Sequence, residues 1–469
     1  MRFDEEIVKA VKHQAATDTN ATKTEDEILA IEETVRTAVS LTNYDFSKSK
    51  SSVVSKDGGK KRFVKKFSDN YSVESVLCQC IKQILDRTFR IKYPNRNKSI
   101  RALFDALKAV KQMADFTIVK YDFKDYFNSV SAPYVYEKYL KAKLTNRFEA
   151  DLISHFVGET KYTYAGFCTS NVIAEIIAKQ FDTAVRLAFA DKGVLLFERY
   201  IDDSVIIFNE HIEKSECEHI LKKTLSRIFH DNSITVSPKC KTRFNKLKSI
   251  HISHRGLSTV PNTQTTFDYL GYEFSFEMNN DRIEIKYGIT QEKQDKYKGR
   301  IDEIISLYKE PTKKNGLTNP DFHNMELLRQ RIVAFTSRTV YQSRRYRATI
   351  WKAKGFVGNY GELRYLLDTT QIDNTTKAFL ENMVVDAFNR ASLPYPYFLK
   401  GANGKRGYSL FENMKRNKTL LLVDRIGYSK PALERLCSKV GISLIDKNGK
   451  ERGYGNLVRD YLIELNVGY

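Results

Sequence analysis

The chain has 469 residues, of which 42% are apolar and 12% aromatic, so several folded domains are expected rather than disorder. Its net charge is +20, and the sequence has neither a recognisable signal peptide nor an apolar run near the roughly 18 residues that a membrane span needs. The six cysteines form no CxxC pair. They favour reduced thiols in a cytoplasmic protein over a zinc site or a disulfide framework.

The charge is distributed unevenly along the chain. Counting Lys and Arg against Asp and Glu gives about −3 for residues 1–50, +10 for 51–120, 0 for 121–290 and +13 for 291–469. A neutral middle between two basic blocks is typical of a catalytic region held against a polyanion on both sides. A solvated basic face that only keeps the protein in solution is the alternative.

The first third of the chain predicts helices followed by a strand. Thr24–Glu27 has the form of a capping box before apolar residues at helical spacing, so residues 1–50 are expected to be helical. The Ser/Lys/Gly-rich stretch Ser47–Gly59 predicts a loop. A helix is expected over Val73–Leu85, and the alternation of Asp115–Asp122 indicates a half-buried strand.

The middle of the chain predicts a long buried helix and two hairpins. The helix is expected over Val172–Phe189, and the short apolar runs Val194–Phe197 and Val205–Phe208 are the length of strands. Together the two runs predict a β-hairpin. Phe267–Phe276 predicts another strand or hairpin, and amphipathic helical stretches dominate after Gln291.

The strongest chemical signal is the tetrad Tyr200-Ile201-Asp202-Asp203, at the predicted tip of the first hairpin. Two adjacent carboxylates repel each other there, and a divalent cation relieves the repulsion because Mg²⁺ prefers hard oxygen ligands. Asp122, at the end of a predicted strand, is expected to add a third carboxylate. Two metal ions about 4 Å apart could then activate a hydroxyl and stabilise a leaving group. An ordinary polar turn is the alternative for an isolated Asp-Asp pair.

These acidic blocks, with several companions in the same order, resemble the reverse transcriptase family from about Arg62 to Phe276. The resemblance implies an α+β right-hand polymerase, with fingers and palm followed by an all-helical thumb and C-terminal extension. It divides the chain into an N-terminal helical segment (1–55), fingers and palm (56–290), and thumb with basic extension (291–469). It also implies two Mg²⁺ ions per active site, for which Mn²⁺ could substitute, held by Asp122, Asp202, Asp203 and the backbone carbonyl of Phe123.

The resemblance assigns further roles around an incoming nucleotide. In the block Arg62–Phe67, Arg62 would contact the triphosphate, with Lys65 and Lys66 as helpers, because a guanidinium fork suits phosphate oxygens. Solvated loop charges are the alternative for the two lysines. Phe127 stands at the position of the family's steric gate, which implies dNTPs rather than NTPs as substrates. A core aromatic is the alternative there.

Three more blocks extend the resemblance towards the template and the primer. Gly166 and Ser170 match a block that packs under the template and the nascent base pair, where glycine permits close backbone approach. Lys241 matches the proton donor to the departing pyrophosphate. The primer grip is matched by Tyr269, Leu270 and Gly271.

The basic region after residue 290 is too long for a thumb alone, and no acidic cluster of an RNase H domain is evident in it. This layout is most similar to the bacterial antiphage group, the abortive-infection and defence-associated reverse transcriptases. The expected partners are dNTPs, a noncoding RNA and a DNA product, with no membrane, and self-association is left open. Phosphate contact and base stacking are expected from Arg344, Arg345, Arg347, Trp351 and Lys352.

Four functions remain open from the sequence. The first is a DNA polymerase that copies a bound noncoding RNA during antiphage defence, and the second is a template-independent polymerase primed by a tyrosine such as Tyr469. The third is a retron or intron-type enzyme. The fourth is a non-catalytic RNA-binding scaffold, against which the retention of all three aspartates argues.

Overall fold

The computed structural model describes residues 2–17, 23–55, 61–113, 115–253, 265–279, 282–309, 320–345, 348–400, 408–446 and 449–467. The helices are α1 (Arg2–Thr17), α2 (Glu25–Ser40), α3 (Val73–Phe89), α4 (Arg96–Val110), α5 (Tyr126–Ser129), α6 (Ala132–Val135), α7 (Arg147–Thr160), α8 (Cys168–Ala188), α9 (Lys214–Phe229), α10 (Gln291–Lys309), α11 (Pro320–Thr336), α12 (Phe356–Tyr360), α13 (Asn374–Arg390), α14 (Leu410–Lys415), α15 (Lys430–Lys439) and α16 (Tyr454–Leu465). The strands are β1 (Lys50–Ser55), β2 (Lys61–Lys66), β3 (Asp115–Phe123), β4 (Val194–Tyr200), β5 (Asp203–Phe208), β6 (Phe244–Ser253), β7 (Thr266–Tyr269), β8 (Tyr272–Asn279), β9 (Arg282–Ile289), β10 (Arg338–Arg345), β11 (Ala348–Lys354) and β12 (Thr419–Leu422). The α+β class expected from the sequence is confirmed.

The chain forms two compact units, the first made of most of residues 1–270 and the second of most of 271–469. The finer division at residues 55 and 290 stays a prediction. Within the described ranges, no helix combines the length and the apolar character needed to cross a membrane.

The centre of the first unit is a four-stranded antiparallel sheet in the order β4-β5-β3-β6. One face of β3 carries Tyr121 and Phe123, whose rings pack against Phe181 of α8 and lie fully or almost fully buried. Phe229 of α9 joins this cluster through Phe123. Since side chains alternate along a strand, Asp122 is directed to the opposite face of the sheet. The aromatic core therefore orients Asp122.

The N-terminal helices form as expected. Thr24 and Glu27 make the complete capping box of α2, in which the Glu27 carboxylate accepts from the Thr24 backbone N–H at 2.7 Å. The loop expected over Ser47–Gly59 is wrong for its described part, because β1 pairs with β2 from Lys50↔Lys66 to Ser55↔Lys61. The ladder satisfies backbone groups that a Ser-rich segment would otherwise leave to water.

The predicted long helix and both predicted hairpins are present. The long helix is α8, and the first hairpin is β4–β5, whose strands extend three residues closer to the turn on one side and two on the other than the apolar runs suggest. The second hairpin is β7–β8, with Leu270 and Gly271 in its turn.

The second unit is mainly helical, as expected, but its extension is not all helical. A three-stranded sheet in the order β11-β10-β12 lies within it, with β12 parallel to β10. The basic segment around Trp351, which belongs to the extension expected to be all-helical, forms the hairpin of β10 and β11. Its β-branched and aromatic residues, such as Val340, Tyr341 and Ile350, have high strand propensity.

Candidate functional site

The tetrad lies at the tip of the β4–β5 hairpin. Tyr200 and Asp203 face each other as the last cross-strand pair, and Ile201 and Asp202 form the two-residue turn. Ile201 has a φ of 61°, which is rare for a β-branched residue and indicates backbone strain at this turn. The turn therefore needs support from its surroundings.

Arg199, which the sequence analysis missed, supplies this support. Its guanidinium donates to the Ile201 carbonyl at 2.9 Å and is buried between two carboxylates of α8. Glu175 accepts two hydrogen bonds from it at 3.0 and 3.1 Å, and Asp182 accepts two at 2.8 and 2.9 Å. Breaking such a buried network typically costs about 3–5 kcal/mol, so Arg199 holds the strained turn against α8. The sequence signal that could have indicated this role is an arginine in the same strand as the apolar run Val194–Phe197.

Asp122 lies beside this turn at the end of β3. It is the direct cross-strand partner of Asp203, and the Phe123 N–H donates to the Asp202 carbonyl at 3.2 Å. The structure therefore brings all three predicted aspartates to one end of the sheet. The Asp122 carboxylate accepts from the Asn245 side chain at 2.9 Å and from the Lys246 backbone N–H at 3.2 Å.

Asp203 lies in a more enclosed environment. Its Oδ1 atom is buried without a hydrogen-bond partner, and Lys120 Nζ lies 3.6 Å away. Lys120 is shared with Asp268, to which it donates at 2.8 Å. Burial raises the pKa of the Asp203 carboxyl to about 7, with Lys120 opposing this shift and the Asp268 charge adding to it. Lys120 is a second residue that the sequence analysis missed.

The donor chemistry at this end of the sheet suits a hard divalent cation. Within the described ranges, no three acidic, histidine or cysteine side chains form a ready metal-binding group, and the Asp122 and Asp203 carboxylates have the partners named above. Two carboxylates nevertheless face each other across adjacent strands, and one has a buried oxygen without a hydrogen bond. Carboxylate oxygens in this arrangement are the ligands that Mg²⁺ prefers.

Arg62 and Phe127, both predicted to contact the nucleotide, lie together. The Arg62 guanidinium carbon is 5.8 Å from the centroid of the Phe127 ring, and both side chains are partly exposed. Lys65 Nζ lies 4.6 Å from the centroid of the Tyr164 ring. Lys66 is exposed, with no contact that distinguishes it from a solvated strand charge. A cationic strand, β2, thus meets two aromatic rings.

Gly166 makes the close contact between β2 and the loop before α8. Its φ is 113°, and an added Cβ would lie 2.2 Å from the Lys65 carbonyl oxygen. The Lys65 N–H donates to the Ala165 carbonyl at 2.8 Å in the same contact. Ser170 is buried and its hydroxyl donates to the Tyr164 carbonyl, so this hydrogen bond stabilises the loop. Only a residue without a side chain allows this approach.

Lys241 lies at the same group of aromatic residues. Its Nζ is 5.0 Å from the centroid of the Tyr162 ring, and its backbone N–H donates to the Ser129 carbonyl at 2.7 Å. Burial raises the pKa of Tyr164, and the Lys241 charge opposes that shift. Lys241 is exposed, so its ammonium is accessible to a bound anion.

The predicted primer-grip residues form the turn of the β7–β8 hairpin. Leu270 and Gly271 have φ values of 52° and 82°, as a tight hairpin turn requires. The Leu270 carbonyl accepts from Arg96 at 2.6 Å, and the Leu270 backbone makes a hydrogen bond that lowers the pKa of Asp203. Tyr269 is fully buried, so it supports this turn and has no exposed surface for a ligand.

The predicted nucleic-acid contacts of the extension lie on β10 and β11. Trp351 is 57% exposed, and Lys352 is exposed beside it. Arg344 and Arg345 belong to β10, but their side chains lie outside the description. Arg347 and Tyr469 also lie outside the described residues.

Comparison with known proteins gives distant similarities to solved structures, two of which are telomerases. No family model and no curated protein sequence matches the chain. The chain is similar to apo telomerase from Candida tropicalis truncated from its C-terminal domain, with a TM-score of 0.33 and 12% identity over 49% of this chain and 53% of that one. It is also similar to telomerase from Candida albicans in complex with the TWJ fragment of telomeric RNA, with a TM-score of 0.35 and 13% identity over 64% and 58% of the two chains. The chain thus spans little more than half the length of either telomerase.

Proposed function

We propose that this protein is a DNA polymerase of the reverse transcriptase kind, which joins dNTPs by metal-dependent nucleotidyl transfer. The observation that carries the proposal is the cross-strand pair Asp122↔Asp203, with Asp202 in the adjoining turn. Like charges directly opposite each other destabilise a sheet. A protein that keeps them there, on a strained turn held by the buried Arg199, has a use for concentrated negative charge.

Each neighbouring group has a defined task in this mechanism. Two Mg²⁺ ions bound at the three aspartates, with the Phe123 carbonyl as a further ligand, would activate a 3′-hydroxyl and stabilise the leaving pyrophosphate. Arg62 binds the triphosphate, and Lys65 adds a second positive charge on the same strand. Lys241 donates a proton to the departing pyrophosphate. Phe127 excludes a ribose 2′-hydroxyl from the sugar position.

The wider role we propose is antiphage defence, in which the enzyme copies a bound noncoding RNA. The support is the net charge of about +13 over residues 291–469, because holding a folded RNA requires many phosphate contacts. Template-independent synthesis primed by a tyrosine is the second candidate. Two exposed tyrosines of the second unit favour it, Tyr365 at 62% and Tyr397 at 73% exposure.

The decisive experiment compares dNTP incorporation by the wild type and by Asp202→Asn/Asp203→Asn in the presence of Mg²⁺. Incorporation should be lost in the double variant, because neutral amides bind the cation far more weakly than carboxylates. Asp191→Asn is the matched control, since Asp191 is an exposed aspartate just before β4. This control should retain full incorporation. Unchanged incorporation by the double variant would remove the site assignment.

The same assay without a primer distinguishes the two candidates. If RNase treatment abolishes synthesis, a bound RNA is copied, and sequencing the product identifies it. If synthesis survives RNase and the product stays attached to the denatured protein, the synthesis is primed on a side chain. Tyr365→Phe and Tyr397→Phe would then test the two exposed hydroxyls.

A further inference from the structure

The hairpin of β10 and β11 extends beyond the sheet that contains it. β12 pairs with β10 only from Arg338 to Tyr341, whereas β11 pairs with β10 as far as Arg345↔Ala348. Within the described residues, 342–345 and 348–351 therefore pair only with each other, and we call this two-stranded segment the β-arm. A two-stranded ribbon is marginally stable by itself, so a bound partner would stabilise the β-arm.

An exposed tryptophan lies at the base of the β-arm. Trp351 is 57% exposed, pairs across the ribbon with Gln342, and is the only tryptophan of the chain. Lys352 and Lys354 follow it and are both exposed. Leaving a large aromatic surface in water is unfavourable in free energy. Its burial in a complex would recover that free energy.

The charge of this segment indicates the partner. Residues 338–354 contain six basic residues and no acidic residue, which opposes pairing with a second copy of the ribbon and with most basic protein surfaces. Burial and the charge of Lys352 both lower the pKa of Lys354. A polyanion would relieve this repulsion between the two ammonium groups. Because side chains alternate along β11, Trp351 lies on one face of the ribbon and the two lysines on the other. The ribbon therefore fits a flexible partner that combines phosphates with flat apolar faces.

We propose that the β-arm binds single-stranded nucleic acid, with Trp351 stacked on an unpaired base and with Lys352 and Lys354, on the opposite face of the ribbon, held to phosphates of the same flexible strand. Stacking requires an exposed base face, which a duplex presents only at its ends. The inference rests on the proposed function, because it assigns the β-arm to the template or the product strand of synthesis. The proposed β-arm site shares no residue with the aspartate site, and its test measures binding rather than synthesis.

The tryptophan fluorescence of the full chain reports on Trp351 alone, which allows a direct test. The Asp202→Asn/Asp203→Asn protein is titrated with a short oligo(dT), so that no synthesis occurs during the measurement. Fluorescence should be quenched as binding proceeds. An oligomer of equal length with abasic sites should bind more weakly and cause no quenching. Quenching would support binding at the β-arm even if the protein had no polymerase activity.

Substitutions measure the contribution of stacking. Trp351→Leu should weaken binding of a labelled oligo(dT) by about 5- to 150-fold, the range expected for one stacked base, and Trp351→Phe should restore most of it. Tyr428→Leu removes another exposed ring of the second unit and should leave the affinity unchanged. Equal affinities of wild type and Trp351→Leu, equal quenching by the abasic oligomer, or tighter binding of a blunt duplex would each overturn the proposal.

Discussion

The carboxylate of Asp203 lies between opposing influences at the end of β5. Burial and the nearby Asp268 favour its neutral form, whereas Lys120 and the Leu270 backbone favour the charged form. The result is a pKa of about 7, raised from 3.8. A carboxyl group in this balance is ionised at little cost when a cation binds, and is costly to ionise without one.

This balance predicts a pH-dependent effect of Asp203→Asn on stability. Because the folded-state pKa is raised above the unfolded value of 3.8, the stability contributed by protonated Asp203 is complete below pH 3.8 and is lost as the pH rises through about 7. In a chelating buffer, the variant should therefore gain stability over the wild type by about 1.4 kcal/mol for each pH unit within that window. Urea unfolding of both proteins at several pH values measures it. A difference independent of pH would contradict the raised pKa.

Phe127 is the residue for which we predict selection of dNTPs over rNTPs. Replacing it with alanine removes the ring beside Arg62 and, in the proposed nucleotide site, opens space for a ribose 2′-hydroxyl. Phe127→Ala should therefore accept rNTPs, raising the ratio of rNTP to dNTP kcat/KM by at least about tenfold, the equivalent of 1.4 kcal/mol. Phe127→Tyr keeps the bulk and should keep the preference for dNTPs. Continued strict discrimination by the alanine variant would show that another residue reads the sugar.

At the scale of elements, the β1–β2 hairpin is held close to the loop before α8 through one glycine. The approach of Gly166 to the Lys65 carbonyl places β2, with Arg62 and Lys65, beside the loop that carries Tyr164. The position of the cationic strand thus depends on this backbone contact. The lysine and arginine side chains are placed by the strand that carries them.

Gly166→Ala tests this dependence. An alanine would have its Cβ 2.2 Å from the Lys65 oxygen at a φ of 113°, so β2 must move away. We expect KM for dNTPs to rise about tenfold or more, since a displacement of roughly 1 Å can cost about a hundredfold in rate. Gly158→Ala is the matched control, because nothing lies within 4 Å of its added Cβ in α7. An unchanged KM would mean that β2 does not bind the nucleotide.

At the scale of the whole molecule, the net charge of +20 makes a prediction about salt. If nucleic acid is bound through about six to ten phosphate contacts, its affinity should fall by about 10³ to 10⁵ between roughly 50 and 200 mM NaCl. Fluorescence anisotropy of a labelled RNA or DNA strand measures this slope. A peptide nucleic acid of the same sequence has no backbone charge and should show little salt dependence. An affinity for RNA that salt does not alter would assign the basic surface to solubility alone.

The sequence by itself determined the local features of this protein. Capping of α2 by Thr24, the buried helix α8 and the β4–β5 hairpin all followed from residue spacing, because caps, helical stripes and short apolar runs act over a few residues. The acidic tetrad was recognisable for the same reason. The candidate site was predicted as a set of residues, and the structure brings its three aspartates to one end of one sheet.

Only the tertiary structure decided which distant groups complete the site. Arg199 lies between Glu175 and Asp182, Lys120 between Asp203 and Asp268, and neither arrangement leaves a local pattern in the sequence. The basic segment around Trp351 forms strands because β10 and β11 pair with each other and β10 with β12, 81 residues apart in the chain at Thr339↔Leu420. Backbone pairing and the burial of charge are decided by partners far along the chain, which periodicity cannot report.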